Sequence, residues 1–421
     1  MITSRTRLPA VPLYYILTGC YALFFNIVIS VNLVYQTQAA GLNPLQLVLV
    51  GTVLEATIFV CEVPTGVVAD VFSRRLSVVV GIFLTGAGFA LIGALAQFET
   101  ILLAQIVLGL GLTFISGAQQ AWIADEVGVE TAGQVYLRGA QVEQGARLIG
   151  IPIGIGLGVL RLNLPILVGG GLLVLLSLFL ASTMPERGFR PAEHRRSWRT
   201  LTGTLFRGGR HVRGTPLLVT VFVIAAFYGW ASEGFDRLWV AHFLDNLGFP
   251  ALGHFEPVVW FGVVRMGSTV MSIGAVELVR RKIDPNNHNA VSRGLLLINA
   301  CQIASLVLFA AAGNFYVGML AFWSATSLSR MFDPLYIAWI NQHVDSGVRA
   351  TVISMSSQAN ALGQIGGGPL LGIIGTFGSL RAALYASGAV LSPVLLFYLR
   401  AMGQGQPAVA AAPDPIVAAD P

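Results

Sequence analysis

The apolar positions of this chain fall in long runs separated by short polar clusters. A helix needs roughly 20 apolar residues to cross a bilayer. On that rule the runs predict spanning helices at about 11–37, 43–69, 75–97, 99–124, 132–160 and 163–183 in the first half. The second half gives 215–243, 254–280, 291–313, 315–343, 348–376 and 379–401. The chain therefore divides into an N-terminal six-helix bundle (1–183), a linker (184–214), a C-terminal six-helix bundle (215–403) and an Ala/Pro-rich tail (404–421) expected to be disordered.

Composition sharpens this picture. Of 421 residues, 55% are hydrophobic and 11% charged, against about 25% charged in a soluble domain, so the expected solvent is lipid. Glycine is frequent, at 48 residues, as close helix contacts in membranes favour. Cys20, Cys61 and Cys301 sit in apolar runs at no metal or redox spacing and are expected to be small buried hydrophobes. The first apolar run is too long for a cleavable signal peptide and lacks an A-x-A-like site.

The net charge is +5, but its placement says more. Arg5, Arg7, Arg74, Arg75, Arg138, Arg280, Arg281, Lys282, Arg293, Arg349 and Arg400 fall on alternate loops, while the opposite loops offer little beyond Arg161 and Arg381. The positive-inside rule then puts both termini in the cytoplasm. The linker carries Arg187, Arg190, Arg195, Arg196, Arg199, Arg207, Arg210 and Arg213, with Trp198, Leu201 and Leu205 at helical spacing. This pattern predicts a basic amphipathic helix on the inner leaflet. Nucleic-acid binding is the rival reading, and the juxtamembrane position argues against it.

Some chemistries are excluded. The single lysine, Lys282, follows Arg281, so there is no Walker A Gly-Lys-Ser/Thr. No cofactor is expected, and any pumping must draw on an ion gradient or a partner. The histidines show no metal-binding spacing, which argues against a metal-dependent membrane enzyme, and a receptor would have no soluble domain to signal through.

The halves echo each other. Ala121-Trp122-Ile123 recurs as Ala338-Trp339-Ile340, and the same offset pairs Gln141 with Gln358, Gly150 with Gly367, Pro152 with Pro369 and Gly158 with Gly375. Asp70-Arg74-Arg75 is echoed by Glu277-Arg281-Lys282. Two halves in the same orientation place a substrate site between them near the midplane.

Gly66-x-x-x-Asp70-x-x-x-Arg74-Arg75 resembles the loop motif between the second and third helices of the major facilitator superfamily. The preceding Glu62-Val63-Pro64-Thr65 looks like the form in its drug:proton antiporter-like bacterial members. Gly109-Leu110-Gly111, Ala121 through Glu126, Glu233 through Trp239, and Gly366 through Pro369 look like further segments of that group. The sequence departs from the pattern at Ser73, where glycine is usual, and at Gln105, where many proton antiporters carry arginine. In Gly150-Ile151-Pro152-Ile153-Gly154 the Gly and Pro of the fifth-helix antiporter motif are separated by one residue.

Ionisable groups inside a span cost roughly 2.5–3.5 kcal/mol each at the helix centre, so they need a partner, water or a task. Glu143 and Arg147, i,i+4 on the fifth helix, are either a proton site tuned by its arginine or a static pair. By the repeat they align with Asn360 and Gln364. Asp333, Glu55 and Glu62 complete the proton-coupling candidates, with Glu62 equally a structural acid that bonds a neighbouring helix. Glu233, Asp236, Arg237 and Arg265 are expected to form an outer gate or simply to neutralise one another. Asp70, Arg74, Arg75, Glu277 and Arg281 are expected to form a cytoplasmic gate, or an anchor at the membrane edge. Gly150, Pro152, Gly154, Gly367 and Pro369 are helix-packing candidates. Aromatics such as Tyr228, Trp239 and Trp260 are expected either to pack or to line an apolar cavity.

The expected fold is an all-α polytopic membrane protein with twelve transmembrane helices in two six-helix pseudo-repeats, the major facilitator fold. The resemblance implies a monomeric inner-membrane transporter that exports an amphipathic small molecule by proton antiport. The alternatives are uptake or facilitated diffusion of a nutrient and, in another class, a polytopic membrane enzyme or receptor.

Overall fold

The computed structural model describes residues 8–191, 216–250, 256–344 and 348–403. Among the described residues there is no strand, and the helices form twelve spans. Spans one to six are Ala10–Val34, Pro44–Val71, Arg74–Ala94, Phe98–Val127, Val129–Leu160 and Leu164–Thr183. Spans seven to twelve are Pro216–His242, Pro257–Lys282, His288–Ala311, Phe315–His343, Arg349–Phe377 and Leu380–Gly403. Most of the predicted basic amphipathic linker and the whole tail lie outside the described residues.

Local chemistry sets the ends of the spans. Asn43 and Gln46 form a reciprocal capping box at the start of the second span, with bonds of 2.9 and 3.0 Å. Ser73, Asn287, Asn314 and Ser379 cap the third, ninth, tenth and twelfth spans through their side chains. The first and seventh spans both run on into one π-helical stretch, Tyr35–Ala39 and Phe243–Leu247. Beyond these stretches lie Gly41 and Gly248, with φ of 62° and 64°. The repeat therefore extends to the way matching helices end.

Two spans expected to be continuous are broken. The fourth divides into Phe98–Ile115 and Ala118–Val127, because Gly117 sits at φ 73°, a conformation that no helix propagates. The twelfth divides into Leu380–Leu391 and Pro393–Gly403, since Pro393 has no N–H to continue the ladder. Nine described helices are long and apolar enough to cross a membrane by themselves. The fifth, tenth and eleventh spans fall outside that set, and these carry Glu143 and Arg147, Arg330 and Asp333, and Gln358, Asn360 and Gln364.

Within each bundle the helices touch backbone to backbone. A Cβ at Gly150 would lie 2.7 Å from the Leu23 carbonyl oxygen, and one at Gly154 would lie 2.3 Å from that of Ile27, so the fifth span seats directly on the first. In the second bundle Gly229 meets the Asn360 carbonyl oxygen and Gly363 that of Ala226, each at 2.0 Å from the position of an added Cβ. Gly367 makes room for the Trp230 ring. Pro152 and Pro369 lie inside the fifth and eleventh spans, and Pro152 is exposed.

The bundles meet along two seams. The second span packs on the eleventh and seventh, and the fifth on the eighth. Gly154→Val is expected to destabilise the protein by about 1–3 kcal/mol through overpacking against Ile27 and Ser30. A lower midpoint in thermal unfolding of the detergent-solubilised protein, relative to Gly156→Val at an open position, checks this.

Candidate functional site

Between the bundles lies a cavity of ≈ 1240 Å³. The first bundle contributes Asn26, Gln144, Arg147 and Ile151, and the remaining wall belongs to the second bundle. One side is aromatic: Tyr228, Phe235, Trp239 and Phe322. Phe235 stacks on Phe322 at 5.4 Å, and Tyr228 stacks on Phe332 at 4.2 Å. The Tyr228 hydroxyl donates to Gln302 Oε1 at 2.9 Å, which fixes the ring in the wall. Ser232, Ser268, Thr269, Ser272, Thr326 and Ser329 also line the cavity.

The charged part has three arginines and two acids: Arg147, Arg265 and Arg330 with Asp236 and Asp333. Arg147 Nη2 donates to Glu143 Oε1 at 3.2 Å. Arg265 and Arg330 have no ion-pair partner among the described residues. At the repeat-related place on the eleventh span, Gln364 Nε2 donates to Asn360 Oδ1 at 2.8 Å. The second half thus keeps the i,i+4 side-chain contact of Glu143 and Arg147 but in neutral form. Asn360 also lines the cavity.

The residues expected at an outer gate separate into two groups. Asp236 and Arg265 line the cavity. Glu233 and Arg237 instead form a pair at 3.0 Å, with Glu233 only 2% exposed. This pair faces the second span: a Cβ at Gly51 would lie 1.8 Å from Glu233 Oε1 and 2.2 Å from Arg237 Nε. Glu55, one turn on, interacts electrostatically with both. Glu62 accepts a bond from Gln358 Nε2 of the eleventh span at 3.0 Å. Glu55 and Glu62 of the second span therefore both look toward the opposite bundle.

At one end the halves are closed. Gly372 leaves only 3.0 Å between an added Cβ and the Leu45 Cα, Gly375 abuts Pro44, and the Leu45 N–H donates to Thr376 Oγ1 at 2.9 Å. Ile155 packs on Gly262, and Val258 on Gly158. Toward the other, arginine-rich face the cavity wall continues to the half-buried Glu277 and the exposed Arg281.

On that face Arg74 binds Asp70 at 3.3 Å, Asp125, and the Ala121 carbonyl at 3.1 Å, all within the first bundle. Ser73 donates to Glu186 Oε2 at 2.7 Å while accepting from the Leu76 N–H, and the Arg75 N–H donates to Glu186 Oε1 at 2.9 Å. Serine at the place where glycine is usual thus caps the third span and holds the chain that leaves the sixth. Glu277 binds Arg280 and Arg281 at 2.6–2.7 Å along its own helix. Asp125 and Glu186 carried no expected role. The available signal was an acid in the last turn of the fourth span and another just beyond the sixth, on the side of the Arg74-Arg75 pair.

Residues 14–327 match the family described as Major Facilitator Superfamily. The chain belongs to that superfamily. The uncharacterized MFS-type transporter YxaM of Bacillus subtilis (strain 168) is 24% identical over 356 residues, covering 84% of this chain and 86% of YxaM. The crystal structure of the nucleoside transporter NupG superposes with a TM-score of 0.74 at 13% identity, covering 93% of this chain and 98% of that one. A bacterial homolog to the human lysosomal transporter Spinster, inward-facing and unoccupied, gives a TM-score of 0.70 at 14% identity, covering 93% and 96%. At these identities the structures share the fold with this chain. As a superfamily member the protein is a multi-pass membrane transporter of small molecules rather than an enzyme, and none of these relatives specifies drug efflux.

Removing one partner of a buried ion pair leaves the other charge uncompensated, at a cost of about 3–5 kcal/mol. Glu233→Gln is expected near the lower end, because Arg237 is 22% exposed. Glu233→Gln/Arg237→Gln together is expected to cost less than Glu233→Gln alone. Thermal unfolding of the single and double variants checks the order.

Proposed function

We propose that the protein carries an amphipathic small molecule across the cell (inner) membrane by alternating access, as a monomer, and that protons binding to cavity carboxylates drive the cycle. One observation carries this reading. Titratable Asp236 and Asp333 border the same space as the arginines and the aromatic wall, so proton and cargo act on one cavity. Glu143, behind Arg147, is a third proton candidate. Glu55 and Glu62 face the opposite bundle and serve, in this reading, to sense its movement.

The distribution of basic residues makes the arginine-rich face cytoplasmic. The state described is then inward-facing. Its outer end is closed by the second-to-eleventh and fifth-to-eighth contacts, with Glu233 and Arg237 pinned against Gly51 as the outer gate. Asp70, Arg74 and Arg75, with Glu277 and Arg281, are the cytoplasmic gate. Their pairs lie within each bundle here and exchange for pairs between bundles when that side closes.

The resemblance to drug:proton antiporters gives export in exchange for entering protons as the first direction. Uptake is the second reading, and a specific observation favours it. Gln105, at the place of the antiporter arginine, is 2% exposed and is not among the residues lining the cavity.

The test is accumulation of a tracer cargo, found by thermal-shift screening, in proteoliposomes under an imposed pH gradient. Asp236→Asn and Asp333→Asn are expected to abolish gradient-driven accumulation while leaving downhill exchange intact; accumulation equal to the parent refutes proton coupling. The sign of the gradient that drives accumulation gives the direction. For alternating access, Leu45→Cys/Gly372→Cys in a background with Cys20, Cys61 and Cys301 replaced by Ala should stop turnover on oxidation and recover on reduction. Asp70→Asn should lower turnover several-fold with membrane insertion unchanged.

A further inference from the structure

Arg147, Arg265 and Arg330 approach one cavity from three different spans. Arg147 has Glu143 at 3.2 Å, yet its Nε is buried with no hydrogen-bond partner. Arg265 lies within the fields of both Arg147 and Arg330, and the acid acting on it is Asp236. Asp236 lies within the fields of Glu233 and Arg237 on its own helix and of Arg330 and Arg265 on the tenth and eighth spans. Asp333 interacts with Arg330. Glu55, from the second span, interacts with Glu233, Arg237 and Asp236. At the cavity mouth Glu277 is held by Arg280 and Arg281 and is not available to the deeper arginines.

Carboxylates and guanidiniums differ in one decisive way. A carboxylate loses its charge by taking up a proton, whereas arginine stays charged at any ordinary pH. When protons occupy Asp236 and Asp333, the three guanidiniums face one space with Glu143 as their remaining close counter-charge. Like charges in a partly desolvated site repel strongly. An anion removes that repulsion and supplies acceptors for the forked N–H donors of Arg265 and Arg330, which have no ion-pair partner among the described residues. A cation meets the opposite situation, because Arg147, Arg265 and Arg330 border the same cavity as Asp236.

We infer that the cargo is an amphipathic organic anion, its acidic group held between Arg265 and Arg330 with Arg147 opposite, its apolar body against Tyr228, Phe235, Trp239 and Phe322, and that it binds together with the proton. This rests on the proton-loaded state proposed above. Linkage is reciprocal: protonation of Asp236 strengthens anion binding, and the anion promotes protonation. Anion and proton then cross in the same direction, which is the uptake reading of the cycle rather than exchange.

The probe set is a panel of aryl and alkyl sulfonates, which stay charged across the pH range used, with neutral sulfonamide and quaternary ammonium counterparts of the same carbon skeletons. Binding is read by thermal stabilisation and Trp fluorescence of the full chain in detergent at pH 5.5 and pH 8. Sulfonates are expected to bind in preference to their counterparts and more tightly at pH 5.5. Arg265→Gln and Arg330→Gln should each weaken them roughly tenfold or more, as loss of a charge-assisted hydrogen bond does. Arg293→Gln, on an exposed residue outside the cavity, should not. Asp236→Asn should bind sulfonates tightly with a flattened pH response, which a merely structural role for Asp236 would not produce.

Preference for the ammonium or neutral probes, absence of binding by any sulfonate, or sulfonate affinity unaffected by both arginine changes overturns the anion assignment. Affinity that is equal at both pH values, or weaker at pH 5.5, overturns co-binding. These outcomes are separable from failure of proton coupling itself, which is read in the proteoliposomes from gradient dependence and does not require an anionic tracer.

Discussion

A charge that faces hydrocarbon alone is costly, and that cost fixes how several helices of this protein are rotated about their own axes. Glu143 and Arg147, and Glu233 and Arg237, satisfy the constraint by pairing one turn apart. Arg265, Arg330, Asp236 and Asp333 satisfy it by facing the cavity between the bundles. The seventh, eighth and tenth spans therefore have little rotational freedom, since turning any of them outward would place a charge in lipid. The cavity and the bundles around it are set by the same requirement.

Packing supplies the complementary constraint. Lipid tails are as apolar as leucine, so helices in a bilayer are held by close contact rather than by escape from water. Inside each bundle those contacts are backbone on backbone, as at Gly150 on Leu23 and Gly363 on Ala226. Between the bundles they run mainly along the second span on the seventh and eleventh and the fifth on the eighth, with lesser contacts from the first span to the eighth and seventh. This division of contacts suits the movement of two halves proposed above. The seam at Gly372 and Gly375 consists of close apolar contacts with Pro44 and Leu45 and one hydrogen bond.

Much of this was legible in the sequence, for physical reasons that differ from residue to residue. Most span positions were readable because membrane insertion imposes a length and an apolar content on a helix, a requirement that the fifth, tenth and eleventh spans relax where they carry polar and charged residues. The breaks at Gly117 and Pro393 were not, because glycine and proline are also common inside unbroken membrane helices, as Pro64 and Pro334 are here. The charged candidates were readable because each is expensive in place. Their grouping was not. Asp236 and Arg237 are neighbours in sequence, yet one lines the cavity and the other turns to Glu233 and Gly51. Which way each points depends on the partners that tertiary packing brings, and Gly51 gave no sign in the sequence of being the surface on which that pair rests. The Ser73 and Glu186 contact joins residues 113 apart and was equally hidden.

The repeat holds in backbone but not in chemistry, and the difference bears on how the cavity works. The Asn360 and Gln364 contact shows that the scaffold accepts a neutral pair where the first half has Glu143 and Arg147. The charge on the fifth span is thus not required by the fold. Arg265 and Arg330 belong to one bundle, so a rigid rocking motion leaves their separation nearly constant. In the proposed alternating-access cycle Arg147, on the other bundle, moves relative to them. The second half accordingly supplies a fixed charged surface, and the first half supplies one cation whose distance from that surface depends on the state of the carrier. Electrostatic energy in a partly desolvated cavity varies steeply with such distances. A single arginine on the opposing bundle is therefore enough to make the field inside the cavity differ between the two sides of the membrane.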